Sequence, residues 1–188
     1  MKRIAIFASG SGSNFEAIVK AFRRGELNAE PAVCVCDRPG AYVTERARNL
    51  EIPVIVASPK EFGGKAAYET FLAERLKELD VDFICLAGYM RIVGPTLLEQ
   101  FPGRIVNIHP SLLPSFKGAH AIRDAFEYGV KIFGVTIHFV DETLDGGPII
   151  AQTAFPYDGD DIEELESRIH AAEHDLYPRT INRIASTL

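Results

Sequence analysis

The chain has 188 residues, 47% of them hydrophobic and 24% charged, with a formal net charge of −6. That length and balance fit one globular domain with a sizeable core, and the acidic balance argues against a broad nucleic-acid face, which is basic as a rule. No apolar stretch approaches the ~18 residues of a membrane span, while a small phosphorylated ligand stays open because it needs only a few local donors.

Read in chain order, short apolar runs alternate with amphipathic stretches. The N-terminal run enters a glycine turn too soon for a secretory signal, and residues 4–8 read as a first buried strand. Further strands are expected at 32–36, 54–56, 83–86 and 105–108. Helices are expected from Ser13 or Asn14 to Gly25, over 42–50 and 66–79, and from Pro95, a good first-turn residue. The pattern is that of an α/β fold with an open, mostly parallel twisted sheet and helices on both faces. Residues 131–140 then alternate with period 2, a turn spans 141–147, and 148–155 returns, giving a C-terminal strand pair whose loop closes over a site. Ile162, Leu165, Ile169, Ala172 and Leu176 recur at helical spacing and predict a long C-terminal helix that Pro178 bends or ends. No repeat or linker interrupts the chain, so residues 1–188 read as a single domain. The three cysteines, Cys34, Cys36 and Cys85, lack a disulfide spacing and fit a cytoplasmic protein. Cys34 and Cys36 share a strand face and read as small core residues.

Ser9-Gly10-Ser11-Gly12-Ser13-Asn14 follows the first strand. Glycines let backbone N–H groups approach an anion, and the next helix presents its positive end. Phe15 stands where a dinucleotide fingerprint needs a third glycine, and no Walker lysine is present. A single phosphate fits this turn better than a dinucleotide, and a plain strand-to-helix turn is the competing reading.

Asn107 and His109 lie two apart at the carboxyl end of a strand, so both side chains reach one site. That edge is where open α/β sheets bind ligands. Asn donates to a developing oxyanion, and His moves a proton near neutral pH. Asp145, in an Asp-Gly-Gly turn, offers a carboxylate to orient the histidine. The three point to acyl-type transfer without a covalent intermediate. Of the other histidines, His138 sits mid-strand and reads as a core or sheet-face residue, and His120 either caps a helix or touches a ligand. His170 to His174 spells the H-x-x-E-H of some zinc peptidases, but beyond it only Asp175 offers a further carboxylate, so no metal is expected.

These residues carry a resemblance that covers nearly the whole chain. Gly-Ser-Gly-Ser-Asn at 10–14, Leu-Ala-Gly-Tyr-Met-Arg-Ile at 86–92, Asn-Ile-His-Pro-Ser-Leu-Leu-Pro at 107–114, His-Phe-Val at 138–140, Leu-Asp-Gly-Gly-Pro at 144–148 and Glu173-His174 before Tyr177-Pro178 are similar to the folate-dependent phosphoribosylglycinamide formyltransferases of purine biosynthesis. The resemblance implies a Rossmann-like formyltransferase fold and formyl transfer from 10-formyltetrahydrofolate, a co-substrate, to the amine of glycinamide ribonucleotide. His109 would be the general acid/base, Asn107 the donor to the formyl oxygen, and Asp145 the partner of His109. Gly12, Ser13 and Asn14 would hold the acceptor's phosphate, with His170 and Glu173 at its glycinamide end. Tyr89, Met90, Arg91, Ile92, Val93, Asn107, Val140, Asp141, Glu142, Leu144 and Asp145 would form the folate pocket. Lys65 stands where the family has a folate-contacting arginine; it keeps the charge and loses the planar fork.

Small-molecule substrates are the expected partners, with no nucleic acid or membrane, in a monomer or weak homodimer. The competing enzymes are formyltetrahydrofolate hydrolase, where water replaces the amine, and methionyl-tRNA formyltransferase, which carries a further RNA-binding domain. A phosphate- or nucleotide-binding module is the non-enzymatic alternative; it needs the glycine turn but not Asn107, His109 and Asp145.

Overall fold

The structure, a computed structural model, describes residues 1–187. Seven strands form one sheet in the order β3-β2-β1-β4-β5-β6-β7. The first five, β1 (Lys2–Ala8), β2 (Ala29–Cys36), β3 (Val54–Val56), β4 (Phe83–Leu86) and β5 (Ile105–His109), pair in parallel. The last two, β6 (Ile132–Phe139) and β7 (Ile149–Pro156), form the antiparallel C-terminal pair expected from the period-2 run.

Strand alternation divides the core into two layers. Ile4, Ile6 and Ala8 of β1, with Cys34, Cys36 and Cys85, face one layer; Ala5 and Phe7, with Val33, Val35 and Ile84, face the other. The first layer is covered by α1 (Ser13–Arg23), α2 (Tyr42–Asn49), α5 (Ala121–Tyr128) and α6 (Ile162–Ala185), and the second by α3 (Lys65–Glu78) and α4 (Pro95–Gln100). The cysteines are buried and free, and burial, with Cys36 alongside, pushes the Cys34 thiol up to about 12, the state of an inert core thiol.

Two helices depart from the reading of the sequence. The segment after His120 is helical, yet His120 caps it with no side-chain hydrogen bond. Pro178 does not end α6, which runs on to Ala185. A proline inside a helix costs about 3 kcal/mol. Leu176, Tyr177, Ile181 and Ile184 form a buried stripe around it, each contributing about 1.5–3 kcal/mol, and their sum outweighs the lost bond. The same stripe serves the site: Tyr177, fully buried, donates its hydroxyl to the Leu86 carbonyl at 2.9 Å, with Val106 O at 3.3 Å, and so ties α6 to the end of β4 and to β5 beside it.

The strand order reverses at β1, with β2 on one flank and β4 on the other. Connections leave the carboxyl ends of β1 and β4 in opposite directions and open a crevice there, the usual ligand position of such sheets.

Candidate active site

The crevice is a cleft of about 500 Å³. One end is made by residues 10–14, between β1 and α1, with His170 and Glu173 from α6. Asn107, His109 and His138 line the cleft as well, as do residues 86–93 and the loop after β6.

His109 is buried, and its Nε2 lies 2.8 Å from the Phe116 carbonyl. A carbonyl only accepts, so Nε2 carries a proton and Nδ1 is the atom that exchanges one. Nδ1 lies 3.7 Å from Asp145 Oδ2, beyond hydrogen-bond length but within reach of an ion pair. That carboxylate is fixed by the Gly118 N–H at 2.8 Å. Thus one loop, residues 116–118, orients both members of the pair. Asp145 sits at φ 49°, a left-handed conformation that Asp tolerates. The turn also needs Gly147, where a Cβ would lie 1.8 Å from the Phe139 carbonyl.

His138 is the residue the sequence undervalues. It is buried as a core histidine should be, but its ring lines the cleft. Its Nδ1 donates to the Phe139 carbonyl at 2.8 Å, so Nε2 is left as the acceptor for Asn107 Nδ2 at 3.1 Å. This sets the Asn107 amide: one N–H goes to His138, and the second is available to a ligand. Burial holds the His138 pKa below the ordinary histidine value, partly offset by the Phe139 carbonyl and Asp145, and so favours the neutral ring this arrangement needs. The signal available in the sequence was register, since His138 stands opposite Asn107 in the β5–β6 ladder.

At the α1 end, Asn14 Nδ2 and His170 Nδ1 both donate to Glu173 Oε2 at 3.0 Å. The Asn14 side chain therefore spends one N–H on the Glu173 carboxylate, and Asn14 lines the cleft beside Gly12, Ser13 and the turn's backbone. The Asn14 Oδ1 is buried without a partner. Both donors use Oε2 of Glu173, so its Oε1 is left as an acceptor in the cleft lining, which suits an amine. The bond to Glu173 raises the His170 pKa, while burial lowers that of His174, whose ring stacks on His170 at 6.4 Å.

Where residues 90–92 and the loop after β6 line the cleft, Met90, Ile92 and Leu144 are 56%, 62% and 53% exposed and give it an apolar surface. The segment carrying them is fastened from beneath. Asp37, buried at the end of β2, accepts from Ser9 Oγ at 2.5 Å and from Arg91 Nε at 2.6 Å, and Ser9 Oγ accepts from Met90 N–H at 2.8 Å. Nothing in the local sequence marked Asp37. Asp37→Asn is expected to raise the KM of whichever substrate occupies this end by about 3–10-fold, the loss softened because Arg91 is partly solvated. Initial-rate kinetics with each substrate varied in turn check this; equal changes in both KM values would contradict it.

Tyr89, Val93, Val140 and Asp141 also line the cleft. Three residues do not. Lys65 runs back over Gly94 beside Glu69, its own i+4 neighbour. Glu142 is exposed, because Thr143 donates backbone and side chain to Asp141 Oδ1 and turns Glu142 outward. His120 is exposed and lies outside the lining.

Residues 2–181 match the family model described as formyl transferase. The chain is 50% identical over 185 residues to phosphoribosylglycinamide formyltransferase of Bacillus subtilis (strain 168), covering 98% of this chain and 95% of that protein. It superimposes on the crystal structure of phosphoribosylglycinamide formyltransferase from Bacillus halodurans with a TM-score of 0.94 at 54% identity, covering 98% of this chain and 96% of that one. Glycinamide ribonucleotide transformylase 1 from Geobacillus kaustophilus gives a TM-score of 0.95, also at 54% identity, covering 98% and 99% of the two chains.

Proposed function

This chain belongs to the formyl transferase family, and on that ground we propose that it moves the formyl group of 10-formyltetrahydrofolate to the amine of glycinamide ribonucleotide, a step of purine biosynthesis. The observation that carries the reading is the gathering of Asn107, His109 and Asp145 in one cleft with the Glu173 carboxylate and the apolar surface at Met90 and Ile92.

The acceptor's phosphate lies at residues 10–14 on the α1 end, and its amine is drawn to Glu173 and Asn14 Oδ1. The folate ring packs at residues 89–93 and against the loop after β6. The amine nitrogen attacks the formyl carbon, and the carbonyl oxygen becomes an oxyanion that takes the free N–H of Asn107. One proton leaves the amine and one arrives at N10 of the folate as the carbon–N10 bond breaks. His109 Nδ1 handles these protons, and Asp145, 3.7 Å away, stabilises the positive charge the ring carries meanwhile. The amine is itself the nucleophile, so no covalent enzyme intermediate is needed.

The test is a formyl-transfer assay with glycinamide ribonucleotide as acceptor, run beside one with water alone. Transfer that depends on the amine is expected; deformylation at the same rate in water would favour the hydrolase instead. Asn14→Ala is expected to raise the acceptor KM by about tenfold, since it frees Glu173 from one of its two donors, and to leave the folate KM within twofold. The two KM values measured side by side check this, and a loss confined to folate would refute it.

A further inference from the structure

Helix α2 has no part in the chemistry above, yet it grips the turn assigned to the acceptor phosphate. The Val43 N–H donates to the Gly10 carbonyl at 3.0 Å, and one turn on, Arg46 Nε donates to the Ser11 carbonyl at 2.8 Å. In a trans peptide the N–H points opposite to its C=O. Turning the Gly10 and Ser11 carbonyls to α2 therefore turns the Ser11 and Gly12 N–H groups away from it, toward the cleft those residues line. Among the described residues neither N–H has a protein acceptor. Gly12 permits the close approach: its φ is +77°, and a Cβ there would lie 2.4 Å from Val43 Cγ2.

We propose that Arg46 is a positioning residue for phosphate recognition. Its guanidinium spans two elements, with Nε on the Ser11 carbonyl and Nη1 on Glu16 of α1, while its plane lies over the Tyr42 ring at 4.9 Å. The fork fixes the peptide plane whose N–H is Gly12's, and so pre-sets the backbone donors before the anion arrives. Its charge is partly offset by Glu16, which Lys20 shares at 2.6 Å, and the bond to Ser11 adds a geometric contribution that a bare charge lacks. A lysine presents one point charge and cannot hold Ser11 and Glu16 together.

This inference rests on residues 10–14 being the phosphate site, and the experiment separates the two. Inorganic phosphate is used as a competitive inhibitor against the acceptor, with the unaltered protein, Arg46→Ala and Arg46→Lys. In the unaltered protein, phosphate is expected to compete with acceptor and not with folate; failure to compete overturns the phosphate reading and the inference with it. In Arg46→Ala, the acceptor KM and the phosphate inhibition constant are expected to rise together by about tenfold, with folate KM and kcat within twofold. Arg46→Lys is expected to stay near the alanine variant, with thermal melts confirming that both are folded. An unchanged acceptor KM in Arg46→Ala, or full rescue by lysine, would overturn the positioning role.

Discussion

Replacing His109 with alanine is expected to lower kcat by about 10²–10⁴-fold while the protein stays folded. The size follows from the geometry around the ring. Its Nε2 is committed to the Phe116 carbonyl, so the proton traffic falls on Nδ1 alone, and no other imidazole faces that part of the cleft with a free nitrogen: His138 Nε2 is taken by Asn107. Alanine removes the proton carrier and leaves Asp145 without its partner. Binding surfaces at both ends are untouched, so the two KM values should move far less than kcat. Pre-steady-state and steady-state transfer assays on the purified variant, with circular dichroism as the folding control, read this out. Turnover within tenfold of the unaltered protein would remove His109 from the chemistry.

The sequence made the sheet and the centre of the site legible for the same reason. Strand alternation is local, so Ile4, Ile6 and Ala8 against Ala5 and Phe7 could be sorted to two faces, and Asn107 and His109 could be put on one face, without knowing any long-range contact. What was missed depends on contacts made across the fold. His138 looked like a core residue because its role comes from pairing with Asn107, 31 residues away. Pro178 was expected to bend or end the helix, and it does not end it, because the helix rule weighs a lost hydrogen bond and not the buried stripe that overrides it. Asn14 was expected at the acceptor's phosphate, and its further bond to Glu173, which arrives 159 residues later, could not be read locally. Lys65 and Glu142 were placed by correspondence with other members of the family, and their own helix and turn send them elsewhere.

Asn107→Ala is expected to cost about 10²–10³-fold in kcat, the usual loss for one oxyanion donor. Asn107→Asp should lose at least as much despite its equal size, because a carboxylate donates nothing and sets a negative charge against the forming oxyanion. The pH dependence separates this role from simple packing. Burial depresses the His138 pKa, so Nε2 accepts from Asn107 at neutral pH. As the pH falls below the ordinary histidine value of about 6.5 and through the lower folded one, Nε2 gains a proton, stops accepting, and the amide loses its fixed orientation. Activity that depends on Asn107 should therefore fall over that interval. The same depression acts on stability: its contribution is full above the unfolded value and is lost as pH drops through the folded one, since the unfolded chain takes up the proton first. Two measurements decide the matter, the His138 titration by NMR and the pH profile of kcat in the unaltered protein and in Asn107→Ala. An acid limb that tracks the His138 titration in the former and is absent from the latter supports the pair; an identical limb in both would show that the acid limb does not run through the His138–Asn107 bond and would overturn it.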